Sequence, residues 1–160
     1  TLMSGRKSPM TNKTMEIITA LGFETDSSAI PRPQYSWDKV VRDWSVTGQQ
    51  PYKPAVNDYR QAGTPAHQIL EVPISTVVLP LPGDTETGVL RYINPAYHPE
   101  VFRRAMQTTT NEKIILIAHP YEFITRPGNP HAALAFDITV LRENLQWLVD
   151  EGFLFETISI

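Results

Sequence analysis

Apolar residues recur at helical spacing in two places along the chain. Met15, Ile18 and Leu21 fall on one face of a helix that Thr11 or Asn12 can cap, and Gly22 is placed to end it. Ile138, Leu141, Leu145 and Leu148 mark a second and clearer helix over Asp137 to Glu151, with Asp137 as N-cap and Gly152 as terminator. A third, shorter helix is predicted from Pro99 to about Gln107, because proline suits a first helical turn. Strands are predicted at Phe23–Ser28, Ile69–Thr76 and Phe153–Ile160. Lys113–Ala118 is nearly all aliphatic, the pattern of a strand buried on both faces of a parallel sheet. Pro73 marks an edge or bulge in the second of these.

Between these elements lie irregular stretches. Ala29 to Gln68 holds Pro31, Pro33, Pro51, Pro54 and Pro65, which remove backbone donors. Its aromatics, Tyr35, Trp37, Trp44, Tyr52 and Tyr59, argue for an ordered surface loop. Val77–Tyr97 and Glu122–Ala135 are expected to be loops. Strands alternating with helices imply parallel strands joined by right-handed crossovers, as in open α/β sheets and (β/α) barrels. About four strands are too few to close a barrel with a filled interior. The fold class read from the pattern is α/β, one domain over residues 1–160.

Composition narrows the function classes. A hydrophobic fraction of 41% supports a packed core. The net charge is −3 and no basic cluster stands out, so nucleic acid is not an expected partner. There is no cysteine, which excludes disulfides, thiolate metal sites and a cysteine nucleophile. No apolar run approaches the roughly 20 residues of a membrane span. G-x-S-x-G, P-loop and G-x-G-x-x-G motifs are absent.

His119 ends the aliphatic run, and Pro120 stops the strand just after it. Reactive residues of (β/α) barrels sit at such strand ends, where a histidine can exchange protons near neutral pH. The plainer alternative is a histidine bonded to a loop carbonyl. Arg6, in S-G-R-K-S-P, follows a short segment that would end a first strand, and a guanidinium there can orient a carboxylate. Asp26 follows a strand and can line a site or accept bonds from turn amides. Trp37, Trp44 and Tyr35 can stack on sugar faces or pack the long loop. His67, His98 and His131 form no HxxxH or HExxH pair and are not expected to bind metal.

In this order the pieces resemble the C-terminal half of the polysaccharide deacetylase (NodB-homology) family. S-G-R-K-S-P-M-T-N-K-T-M-E-I-I-T-A-L-G-F-E-T-D-S-S is similar to its arginine motif with the helix and strand that follow. P-Y-K-P and I-L-E-V-P-I-S resemble its mid-domain, I-L-I-A-H-P-Y-E-F its late L-x-I-x-x-H-P motif, and E-N-L-Q-W-L-V-D-E-G-F-L-F-E-T-I-S its closing helix and strand. The likeness spans nearly the whole chain, and its specificity lies in order and spacing.

The resemblance implies a distorted (β/α) barrel, incomplete in this chain, that removes N-acetyl groups from a carbohydrate with a divalent metal, often zinc. It makes His119 the proton donor to the leaving amine and Arg6 the residue that orients a catalytic aspartate. Pro9 and Pro120 match prolines of the two motifs. Asp26, Trp37 and Tyr35 are left as site lining. The S-G-R-x-S-P and T-N segments also suit an allantoinase-like branch that opens cyclic amides. A non-catalytic carbohydrate-binding or assembly module is the reading from another class.

The family's aspartate pair and H-x-x-x-H precede the arginine motif, and neither is present here. The chain begins with Thr1 rather than Met. The expectation is therefore a catalytic N-terminal half that was removed or is a separate chain, or a true half-barrel completed by a partner or second copy. On that expectation this chain alone is inactive and binds no metal.

Overall fold

The computed structural model describes residues 11–32, 35–37, 40–124 and 131–156. It is a mixed α/β structure with three α-helices and three two-stranded sheets among those residues. The chain gathers into two compact units, one reaching to Ser75 and one spanning Thr76–Glu156.

The first unit opens with α1 (Asn12–Ala20). Thr11 caps it: the N–H of Thr14 donates to the Thr11 hydroxyl (3.3 Å), and the N–H of Thr11 donates to Thr14 Oγ1 (3.2 Å). Met15 and Ile18 are buried, while Leu21 follows the helix and is 67% exposed instead of completing the apolar face. Gly22 (φ 81°) makes the left-handed turn out of the helix. The predicted strand after it is only β1 (Thr25–Asp26).

The long proline-rich stretch contains a short antiparallel hairpin, β2 (Tyr35–Trp37) with β3 (Val40–Arg42). Beyond it, side chains hold the loop. Trp44 is buried and meets Tyr59 edge-on, with ring centroids 5.6 Å apart. Arg60 pairs with Asp58 and Asp43. Asn12 of α1 accepts from the N–H of Tyr59 (2.9 Å) and donates to the carbonyl of Asn57 (3.0 Å). Trp44 thus packs the core with Met15, Ile18, Ala29 and Ile69, and its ring is not offered to a ligand.

The predicted strand Ile69–Thr76 divides. β4 (Leu70–Glu71) pairs in parallel with β1. β5 (Thr76–Val78) pairs antiparallel with β6 (Leu90–Tyr92), inside a stretch expected to be loop. Pro73 lies between, and its missing N–H interrupts the ladder. Pro80, Pro82 and Gly83 form the connection of this hairpin, not a featureless loop, and Asp84 closes it by accepting from the N–H of Leu81 (2.7 Å) and from Arg91 (2.6 Å).

α2 (Pro99–Thr108) has proline in its first turn and buries Val101, Phe102, Ala105 and Met106. α3 (Ile138–Asp150) is capped by Asp137, which accepts from the N–H of Thr139 (2.8 Å), and ends before Gly152 (φ 85°). The two helices meet where Trp147 packs edge-on against Phe102 (6.0 Å) beneath the guanidinium of Arg103. Of the predicted face of α3, Leu148 is buried and Leu145 packs half-buried on the core, with Asn144 buried beside them, whereas Ile138 is 44% exposed.

Two predicted strands are not formed among the described residues. Lys113–Ala118 joins no ladder and is half-buried through Ile114–Ala118; the N–H of Ile117 donates to the carbonyl of Ile93 (3.2 Å), and Ile114 and Leu116 pack on the unit's core. Phe153–Glu156 is likewise outside any strand, and residues 157–160 lie outside the described ones. Among the described residues no helix is long and apolar enough to cross a membrane.

Asn144 anchors α3. Its Nδ2 donates to the carbonyls of Pro95 (2.9 Å) and Tyr97 (2.8 Å) while the residue is fully buried. Asn144→Ala is expected to cost about 1–3 kcal/mol for each carbonyl left without its donor. Urea unfolding measures it, and a loss under about 0.5 kcal/mol would show that these bonds do not hold the helix.

Candidate functional site

Within the second unit, His119 follows Ile114–Ala118 and starts a 3-10 turn, Pro120–Phe123. Pro120 locks its own φ and suits the start of a turn. The N–H of Glu122 donates back to the carbonyl of His119 (2.9 Å). The carboxylate of Glu122 accepts from the N–H of His119 (2.7 Å) and from Nδ2 of Asn94 (2.8 Å), both at Oε2. Asn94 is in turn held by the N–H of Ala96, which donates to its Oδ1 (2.8 Å). Glu122 and Asn94 are fully buried, whereas His119 is half-buried. The imidazole lies flat on the ring of Tyr121, centroids 5.3 Å apart and planes within 6°. A histidine so placed keeps contact with solvent on a backbone that is fixed on both sides.

Nearby, a cavity of about 140 Å³ is lined by Arg91, Tyr92, Tyr97, His131 and Leu134. The guanidinium of Arg91 is committed to Asp84 and to the carbonyl of Leu79. Burial, and then the neighbouring Tyr92, push the Tyr97 hydroxyl well above the usual tyrosine range.

In the first unit, the parallel register places Asp26 of β1 opposite Glu71 of β4. Both are buried. Oε1 of Glu71 accepts from the N–H groups of Ser28 (3.1 Å) and Ala29 (3.0 Å), and Oδ1 of Asp26 accepts from the Ser28 hydroxyl (3.0 Å). The two remaining oxygens have no donor among the described residues, and the carboxyls lie within hydrogen-bonding reach of each other. Burial first, and then the negative charge of Asp26, raise the Glu71 carboxyl from 4.5 to about 8, against the lowering effect of the two turn amides. The raised Glu71 carboxyl favours the protonated form beside Asp26. Tyr52, whose backbone exchanges two hydrogen bonds with Glu71, has its hydroxyl pushed well up by burial and then by Glu71.

Of the residues predicted from sequence, His119 and Asp26 are thus placed, each within its own unit. Arg6 lies outside the described residues. Tyr35 and Trp37 lie on β2, but their side chains are not among the described parts. Glu71, Glu122 and Asn94 were not singled out; a glutamate in a short strand or turn carries no mark of burial in its sequence.

The other histidines are dispersed. His98 caps α2 through its backbone, His131 is exposed and accepts from the N–H of Ala133 (3.2 Å), and His67 is buried with no hydrogen-bond partner for Nε2 among the described residues. Among the described residues no three His, Asp or Glu side chains gather as a metal site. No family profile, no curated protein and no solved structure matches the chain.

The proton on the carboxyl pair has a pH signature. Between pH 4.5 and about 8 the folded state keeps a proton that the unfolded chain has released. Stability should therefore fall as pH rises through that window and level off above it. Glu71→Gln removes the titrating group and should flatten this fall. Denaturant midpoints at a series of pH values test it; an unchanged slope in the variant would assign the titration elsewhere.

Proposed function

We propose that this chain is part of a metal-dependent hydrolase that removes N-acetyl groups from a carbohydrate, built on a distorted (β/α) barrel of the polysaccharide deacetylase type. The single observation that carries the reading is the ordered series of motifs running from S-G-R-K-S-P to I-L-I-A-H-P-Y-E-F, which ends on His119. The setting of His119 supports it: the backbone is fixed, the ring is half-buried, and proline follows directly.

In this reading the water oxygen adds to the acyl carbon and the amide C–N bond breaks. His119 supplies the proton that the departing nitrogen needs, and Arg6 orients the aspartate base. The divalent ion, zinc in the family the chain resembles, finds no three-ligand site among the described residues. It and the aspartates belong to residues preceding the arginine motif, in the same protein or in another chain.

The coding sequence upstream of Thr1 is therefore expected to specify an aspartate pair and an H-x-x-x-H. The full-length protein should release acetate from N-acetylated oligosaccharides and leave ureides untouched. His119→Ala should lower its kcat by about 10²–10⁴-fold with KM little changed. Full turnover by that variant, or an upstream sequence lacking both motifs, removes the proposal.

A further inference from the structure

We infer that Glu122 is the positioning residue of His119, acting through the backbone of the 3-10 turn and in concert with Asn94. The inference rests on the reading of His119 as proton donor. Glu122 is 1% exposed, and both donors to its Oε2 are neutral, the N–H of His119 and the amide of Asn94. With no cation bonded to it among the described residues, a buried glutamate is a costly way to cap a turn, since a neutral acceptor would serve the same N–H. What Glu122 adds is strength through convergence: the N–H of His119 (2.7 Å) and Nδ2 of Asn94 (2.8 Å) meet on one oxygen, so a single side chain ties the turn to a distant point of the chain.

The connections show what that strength holds. Asn94 follows Ile93, whose carbonyl accepts from the N–H of Ile117, two residues before His119. Glu122, three residues after Ala118's neighbour His119, returns to the side chain of Asn94. The segment carrying His119 is thus tied before and after to one point, the chain just beyond β6. The N–H and the carbonyl of His119 are both engaged by Glu122, and the ring rests on Tyr121. Few degrees of freedom remain except rotation about the side-chain bonds. A proton donor gains from such fixing, because a displacement of about 1 Å can cost about 10²-fold in rate.

The test compares Glu122→Gln, Glu122→Leu and Asn94→Ala in the full-length protein, with His119→Ala as reference. The His119 ring resonance, assigned by its loss in His119→Ala, should show an upfield shift from Tyr121. Glu122→Leu is expected to abolish that shift and to lower kcat by up to about 10²-fold while KM holds. Glu122→Gln keeps an acceptor and should restore most of both. Asn94→Ala should fall between, and it decides the matter if Glu122→Leu does not fold. Folded Glu122→Leu or Asn94→Ala proteins with wild-type kcat and ring shift would overturn the inference. If His119→Ala itself keeps full activity, the proton-donor reading fails instead, while loss of the ring shift in Glu122→Leu would still establish the positioning.

Discussion

A carboxylate removed from water has to be answered, by hydrogen bonds, by a cation or by a proton, and each unit of this protein is organised around one such answer. In the first unit Glu71 is answered by two turn amides and by a carboxyl pushed toward its protonated form. That arrangement requires β1 and β4 to lie side by side in register, and it folds the Ser28–Ala29 turn over the end of the pair. In the second unit Glu122 is answered by Asn94 and by the backbone of His119. That arrangement fixes the one half-buried histidine which the sequence motifs single out. Among the described residues neither carboxyl has a cation as a hydrogen-bond partner.

The two answers differ in what they make sensitive. The raised Glu71 carboxyl ties the first unit to pH, since two charges side by side in a dry site would weaken the strands that bring them together. The second site depends on geometry instead. Its bonds to Oε2 are short, and their donors, a backbone N–H and a side-chain amide, join the turn to the chain beyond β6.

Local signals in the sequence carried the helices well. Thr11, Gly22, Pro99, Asp137 and Gly152 each act within one turn of their own position, and each sits where its chemistry predicts. Pairings between distant residues were not legible in the same way. The β5–β6 hairpin hides in a stretch rich in proline and glycine, because those residues mark its connection. Lys113–Ala118 has the composition of a central strand, but composition does not supply a neighbour. Asn144 adds a polar anchor beside the core-facing leucines of α3, a role that hydrophobic periodicity does not mark. Glu71 and Glu122 were missed because burial of a glutamate depends on groups 42 or more and 28 residues away in sequence, respectively.

The flat stack of His119 on Tyr121 limits the directions from which anything can reach the imidazole. One face of the ring is covered, so hydrogen-bonding traffic must come edge-on, in the plane where the two nitrogens project. A bound molecule would then have to lie across the rim of the tyrosine, which is 47% exposed and extends the same flat surface outward. The turn therefore presents a small flat shelf of two stacked rings, with the edge of the imidazole at its border.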